Sequence, residues 1–235
     1  MSAPYFYAQT LTAQTGAYQL SEETSKHIAQ VLRMKEGEMI NLTNGKGLLA
    51  EACIDEAHKK NTIVNITSFQ KKPEPSESTI AISPVKNNAR FEWFLEKAAE
   101  LGVRKIIPII CQRTEKQYLK KERMQGILVS AMLQSQQVYL TELTDPILFE
   151  QYIEEVKTSQ KFIAHCIESD KKNLVDFRIE PNVSILIGPE GDFTEQEIRD
   201  AIHHGFDPVS LGTTRLRTET AGMMAAVVMN QFLGH

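Results

Sequence analysis

The chain of 235 residues has three cysteines, one tryptophan and no long apolar run, and each shortage excludes something. Cys53, Cys111 and Cys166 are odd in number and far apart, so they form neither a disulfide framework nor a metal-ligand cluster. Buried or half-buried thiols are the expected state, and no metal is expected. No segment reaches the ~18–20 consecutive apolar residues needed to span a bilayer, so no membrane partner is expected. The opening MSAPYFYAQT lacks the basic-then-apolar order of a secretion signal, and a cytoplasmic location is expected. Positive charge is not in excess either. The net charge of −4 argues mildly against nucleic acid, whose phosphates are met by Lys and Arg. No internal repeat or low-complexity tract is evident.

Distribution of charge counts for more than its sum. Residues 1–75 carry eight basic and eight acidic residues. The stretch Arg104–Arg123 carries seven basic residues against Glu115 and Glu122. Such a run is either a solvated face or a surface for RNA.

The sharpest change in composition is KKPEPSES, Lys71 to Ser78, whose two prolines fit neither a helix nor a central strand. Residues 73–78 read as a linker between a domain over 1–72 and one over 79–235. The first domain reads mainly as strands: Tyr5–Ala8, Glu38–Leu42, Leu48–Ile54 and Thr62–Phe69, with Asn44-Gly45-Lys46-Gly47 as a hairpin turn. One helix follows the cap Ser21 and carries His27, Ile28, Val31 and Leu32 at helical spacing. A small β-barrel with one helix is expected.

The second domain alternates. Strands are expected at Thr79–Ile82, Val103–Ile110, Lys161–Ile167, Val183–Ile187 and Val209–Leu211. Helices are expected at Arg90–Leu101 (closed by Gly102), Lys120–Gln137, Pro146–Thr158, Thr194–His204 and Thr218–Phe232. Thr194 with Glu197 three residues on is a capping box. Buried strands alternating with helices imply an α/β domain with a parallel sheet covered on both faces.

Two loops carry the chemistry. In the first, the apolar strand at Ile185–Ile187 runs into Gly188-Pro189-Glu190-Gly191-Asp192 and then a capped helix. Ligands of open parallel sheets bind beyond the carboxyl ends of the strands, and glycines there let backbone amides approach closely. A tight strand-to-helix turn without a ligand has the same sequence. In the second, Leu211-Gly212-Thr213-Thr214-Arg215-Leu216-Arg217-Thr218-Glu219-Thr220-Ala221 opens a helix that is almost wholly apolar and therefore buried. A core helix alone does not explain Arg217 and Glu219 at its mouth, since buried charge is costly unless paired or used.

The pair LIGPEGDFTEQEI and LGTTRLRTETA resembles the RsmE family, the SPOUT-class enzymes that methylate N3 of a uridine in 16S ribosomal RNA. HIAQVLRMKEGE, His27–Glu38, is similar to that family's PUA-like barrel domain. VKNNARFEWFLEKAAELGV, Val85–Val103, resembles its long helix ending in Glu-Leu-Gly-Val. The resemblance implies a trefoil-knotted α/β domain, a homodimer, and S-adenosyl-L-methionine as methyl donor. It places the donor among three loops, with His165, Ile187, Gly188, Pro189, Glu190, Gly191, Leu211, Gly212, Leu216, Arg217, Thr220 and Ala221 as the binding residues. The RNA partner is 16S rRNA, within the 30S subunit. One departure stands out: the family's Glu-Gln-x-x-Arg is Leu133-Gln134-Ser135-Gln136-Gln137 here, without the glutamate and the arginine.

A uridine N3–H must lose its proton as the methyl arrives, so a cation near the developing oxyanion or a carboxylate base would help. Arg217 is the expected cation or a phosphate contact, and Glu219 the residue that fixes it. Glu190 and Asp192 serve as further carboxylates or as loop-ordering groups. Arg33, Lys86, Arg90, Arg113 and Lys116 are expected at RNA phosphates, and His27 is either another such contact or a structural histidine. A SPOUT enzyme acting on another base or on a ribose 2′-oxygen, and a non-catalytic RNA-binding module, are the competing readings.

Overall fold

The computed structural model describes residues 3–168 and 170–233. The chain divides into two compact units: residues 1–74 with 132–140, and residues 75–131 with 141–235.

The first unit is a curled five-stranded sheet in the order β1-β3-β4-β5-β2, from β1 (Tyr5–Tyr7), β2 (Ala17–Gln19), β3 (Met39–Thr43), β4 (Leu48–Glu56) and β5 (Ile63–Lys71). β1 pairs parallel to β3 and the other pairs are antiparallel. Two irregularities along β4–β5 help it curl. Alternation along β4 sends Ala50, Ala52 and Ile54 inward with Phe6, Ile28, Leu42 and Val64. At the β3–β4 turn, Gly45 and Gly47 both have positive φ, 70° and 86°. The helix after Ser21 is short. α1 (Glu22–Lys26) passes into a π-helical turn, His27–Leu32, that ends on Arg33 at φ 54°.

Residues 132–140 complete this unit. Gly47 N–H donates to Val138 O at 2.8 Å, Leu140 N–H to Gly45 O at 2.9 Å, and the Tyr139 hydroxyl to Lys72 O at 2.9 Å. The segment Leu133–Gln137, where the sequence departs from the RsmE pattern, therefore belongs to the first unit.

The second unit is a parallel sheet in the order β11-β13-β10-β12-β6-β7-β8, with β9 also pairing β7. Its strands are β6 (Glu77–Ile82), β7 (Lys105–Ile110), β8 (Glu142–Leu143), β9 (Ile147–Leu148), β10 (Gln160–Ala164), β11 (Lys172–Asn173), β12 (Asn182–Ile187) and β13 (Asp207–Ser210). Strand β6 begins inside the stretch read as a linker, because Glu77 and Ser78 pair with Asn182 and Val183. Five helices accompany it: α2 (Asn88–Glu100), α3 (Lys121–Gln134), α4 (Phe149–Glu155), α5 (Glu195–His203) and α6 (Thr218–Leu233). The helix expected over Pro146–Thr158 is only α4, since Ile147 and Leu148 join the sheet at β7 instead.

Both faces are covered. On one, Ala81, Ile109, Ile163 and Leu186 pack with Phe149 and Ile153 of α4 and Ile198 and Ala201 of α5. On the other, α6 lies on β6 and β12 and against α2. That second contact is close: a Cβ on Gly222 would sit 2.6 Å from the Phe94 ring and 2.9 Å from Ile82 Cδ1. Helix α2 ends as the sequence indicates. Gly102 has φ 81°, and the N–H groups of Gly102 and Val103 return to Ala99 O and Ala98 O.

Candidate active site at the carboxyl ends of three strands

Strands β13, β10 and β12 are neighbours and parallel, so the residues that follow them gather at one edge of the sheet. After β10 come His165 and Cys166, after β12 the Gly188–Asp192 loop, and after β13 the run Leu211–Arg217 into α6. They enclose a cleft with two lobes. A lobe of about 210 Å³ is lined by His165, Cys166, Lys171 and Val209–Leu216. A lobe of about 380 Å³ is lined by Arg90, Ile187–Glu190, Asp192 and Arg215–Glu219. Ala164, Cys166, Arg215, Leu216 and Ala221 belong to both lobes.

The loops are tied to one another by side chains that accept from or donate to backbone. Asp192, at φ 64°, accepts from Cys166 N–H at 2.8 Å and from Phe193 N–H at 2.9 Å, joining the β10 and β12 loops. Thr218 Oγ1 donates to Gly188 O at 3.0 Å and so fixes the start of α6 to the same loop. Space at Gly188 is tight, since a Cβ would meet the Phe193 ring at 3.0 Å and Phe193 N at 3.2 Å. Glu190 accepts from Lys86 N–H at 2.9 Å and orders the chain entering α2. Thr194 and Glu197 form the capping box, and the buried Glu197 also accepts from Gln112 N–H at 2.8 Å.

His165 and Lys171 are two of the four titratable groups that line the smaller lobe, with Cys166 and Arg215. His165 is buried and its Nε2 has no partner. Burial, and then the nearby Lys171 cation, hold its pKa below the ordinary histidine value. Lys171 Nζ donates to His165 O at 2.7 Å and Ile167 O at 2.6 Å, closing the turn after β10. Burial lowers the pKa of that amine.

Ten of the twelve residues expected to bind a donor line the cleft. The exceptions are Gly191, whose carbonyl is turned to Arg113, and Thr220, which is exposed on the first turn of α6. Glu219 does not fix Arg217. Its nearly buried carboxylate faces Arg90 Nε at 3.7 Å, because α6 packs against α2 and brings the two together. The Arg217 side chain is exposed at the cleft and has no hydrogen bond or ion pair among the described residues, while its carbonyl accepts from Ala221 N–H at 2.8 Å.

The residues expected at RNA phosphates separate in the same way. Arg90 belongs to the cleft wall. Arg113 Nη1 donates to Gly191 O at 2.7 Å and so clamps the β12 loop, and Lys86 Nζ pairs with Glu115 at 2.9 Å. Lys116 is half-buried, with its charge near Glu92. Arg33 is exposed in the first unit, as is His27, whose ring meets Phe6 edge-on. Thr218 carried no sequence signal, because its partner Gly188 lies 30 residues away in the chain, and Lys171 and Arg215 carried none because their place in the cleft is set by which strands lie side by side. Among the described residues no three His, Cys, Asp or Glu side chains converge to hold a metal ion.

A parallel α/β sheet with a cleft over its β13-β10-β12 edge, in one chain with a curled PUA-like sheet, defines a SPOUT-type RNA methyltransferase. Residues 72–230 match the family model described as an RNA methyltransferase domain, and residues 20–67 the one described as an RNA methyltransferase PUA domain. A probable rRNA-methyltransferase from Porphyromonas gingivalis is 35% identical with a TM-score of 0.91, each chain covered to 98%. Ribosomal RNA small subunit methyltransferase E from Neisseria gonorrhoeae, solved bound to S-adenosyl methionine, is 29% identical with a TM-score of 0.88, again with 98% of each chain covered. The Synechocystis protein of the same name is 29% identical over 88% of this chain and 70% of its own length. The chain belongs to the RsmE family of ribosomal RNA small subunit methyltransferases.

Proposed function

We propose that this protein transfers a methyl group from S-adenosyl-L-methionine to N3 of a uridine in 16S rRNA of the small ribosomal subunit. The observation that carries this reading is the two-lobed cleft at the ends of β13, β10 and β12, with the exposed Arg217 side chain at its wall. The residues present fit the donor. The unpartnered Nε2 of His165 offers a polar contact in the smaller lobe, and Gly188 and Gly212 leave backbone accessible in the two lobes. The relative from Neisseria gonorrhoeae, bound to S-adenosyl methionine, supports the same ligand.

When bound, the donor supplies an electrophilic methyl on a sulfonium. The chain's own residues position and screen charge. The ties through Asp192 and Thr218 hold the three loops in one geometry, as near-attack alignment at about 3–3.5 Å demands. Arg217 reaches the oxyanion that develops on the uracil ring as N3 loses its proton, or a flanking phosphate. Arg90 and Glu219 shape the wall beside it as an ion pair. Lys116 and Arg33 contact phosphates, with the base turned out of its stack to reach the cleft.

The same reading includes a homodimer, a knotted chain and a cytoplasmic location on 30S subunits. Trp93 of α2 and Val227 of α6, 46% and 42% exposed, offer apolar surface for a second copy. The chain leaves β13 on the far side of β10 and returns to Gly188 beyond β12, which supports threading past the β10 loop. The test is nucleoside mass spectrometry of 16S rRNA from cells lacking the protein. 3-Methyluridine should vanish, return with the wild-type gene, and stay at a few per cent or less with Arg217→Ala, on the order of the 10²–10³-fold loss of one oxyanion donor. Normal 3-methyluridine without the protein refutes the substrate, and full restoration by Arg217→Ala removes Arg217 from the mechanism.

A further inference from the structure

The run from Gln112 to Lys120, between β7 and α3, is neither helix nor strand, and it starts beside the methyl-donor cleft. Three contacts place it. Arg113 Nη1 donates to Gly191 O in the loop after β12, and Lys86 Nζ pairs with Glu115 at 2.9 Å. The Lys86 N–H in turn donates to Glu190 of the cleft wall at 2.9 Å. Tyr118 stands five residues beyond Arg113, so the chain carries it at most about 18 Å from that clamp. Its side chain is 76% exposed, more than any other large apolar side chain among the described residues.

One exposed ring is ordinary on a protein surface, and its charged neighbours are what mark this one. Lys116 and Lys120 flank it in the chain, and neither ammonium has a hydrogen bond or ion pair among the described residues. Both charges reach Glu92 of α2, but Arg123 already holds that carboxylate at both oxygens, at 2.6 and 2.9 Å. The other charges of the run are matched. Lys121 pairs with Asp145 at 2.7 Å and Glu115 with Lys86, while Glu122 stands on the first turn of α3, where a helix end favours a carboxylate. Two cations without counter-ions of their own therefore stand on either side of one exposed aromatic residue, next to the cleft. We propose that Lys116, Tyr118 and Lys120 form a platform for single-stranded RNA beside the target nucleotide. A neighbouring base stacks on the Tyr118 ring, and the two lysines meet the phosphates that flank it. A duplex hides its base faces, so the platform takes an unpaired stretch. A protein partner fits less well, because the ring is surrounded in the chain by Lys116, Gln117 and Lys120 rather than by the apolar surface of an interface core. The inference rests on the RNA substrate proposed above, but not on which base is methylated.

The experiment uses the full-length protein and fluorescence anisotropy with three labelled probes of equal length, about ten nucleotides. They are an oligouridylate, the same strand with abasic residues in place of uridines, and an RNA duplex. Tyr118→Ala should weaken the oligouridylate about tenfold, within the range for one base stacked on an aromatic ring, and leave the abasic strand and the duplex unchanged. Tyr118→Phe should bind all three as the wild type does. Lys116→Ala combined with Lys120→Ala should weaken both single strands alike. It should also lower the slope of log affinity against log salt by about 1.4, the amount for two phosphate contacts with a single strand. Unchanged thermal midpoints check that the variants fold. Equal losses by Tyr118→Ala on the oligouridylate and the abasic strand overturn the stacking and with it the proposal. Undiminished RNA binding by the folded variants overturns the platform alone and leaves the ring to a protein contact. No RNA binding by the wild type overturns the platform together with the RNA reading on which it rests.

Discussion

The surroundings of His165 oppose its charge. It is 8% exposed, its Nε2 has no acceptor, and the Lys171 ammonium is hydrogen-bonded to its own carbonyl. Burial first, and Lys171 second, keep the folded-state pKa below 6.5, against a small opposing effect of Asp192. The sign follows from proton counting. Between the folded value and 6.5 the unfolded chain holds more protons on this residue than the folded chain does. Its share of stability is therefore complete above about pH 6.5 and is lost as pH falls through the folded value. The charged groups that act on it are Lys171 and Asp192, and neither changes charge near neutrality in the unfolded chain. His165→Leu removes the ionisation while keeping an apolar filling. The urea midpoint of the wild type should fall more steeply than the variant's between about pH 7 and pH 5. Parallel curves would mean that His165 is not held neutral by the fold.

At the scale of elements, the contact of α6 with α2 and β6 decides whether the cleft is formed, because it sets Glu219 beside Arg90. Gly222 is its tightest point. A methyl group there meets the Phe94 ring at 2.6 Å and Ile82 at 2.9 Å, and both neighbours are fully buried. Neither can withdraw without opening the core, so Gly222→Ala should lose about 1–3 kcal/mol, the range for overpacking a filled core. Urea unfolding would measure it, and an unchanged midpoint would show that the helices can part at no cost. The need for Gly222 was not legible in the sequence. A glycine in an apolar helix reads only as small, and its partners lie more than a hundred residues away. Features set by neighbours in sequence were readable: the capping box at Thr194, the cap at Gly102 and the Asn44 side chain that accepts from Lys46 and Leu48 in the β3–β4 turn have partners within a few residues. Features set by distant neighbours were not. Arg90 was assigned to RNA on charge alone, and its place opposite Glu219 depends on how α2 and α6 cross. The three-residue β2 and the two-residue β11 lack any length in which alternation could show. The π-helical turn after α1 has the same apolar spacing as an ordinary helix.

At the scale of the whole molecule, the first unit's opening segment ends at Glu74, inside the proline-rich stretch, but the unit also takes in residues 132–140. Residues 132–140 leave α3 and complete the first unit through backbone bonds at Gly45 and Gly47 and through Tyr139 at Lys72. Val138 is 8% exposed there, and Thr43 Oγ1 donates to its carbonyl at 3.3 Å. A segment that follows most of α3 in the chain is thus part of the core of the unit that precedes it. Cutting the chain between the two units should not separate them. With a recognition sequence for a specific protease inserted after Glu74, cleavage should give two fragments on a denaturing gel that elute together from a sizing column in native buffer. The larger fragment keeps residues 132–140, and release would expose the apolar surface that Val138 covers and leave the N–H of Gly47 and the carbonyl of Gly45 without their partners. Each backbone hydrogen bond exchanged for one to water costs about 0.5–1.5 kcal/mol net, and the uncovered apolar surface adds to that, so the joined form is favoured. Substituting Val138 and Tyr139 by Ser in the same cleavable chain should let the fragments part. Separation of the unsubstituted fragments would instead mean that residues 1–74 fold as a unit without this segment, and that the proline-rich stretch is the true boundary.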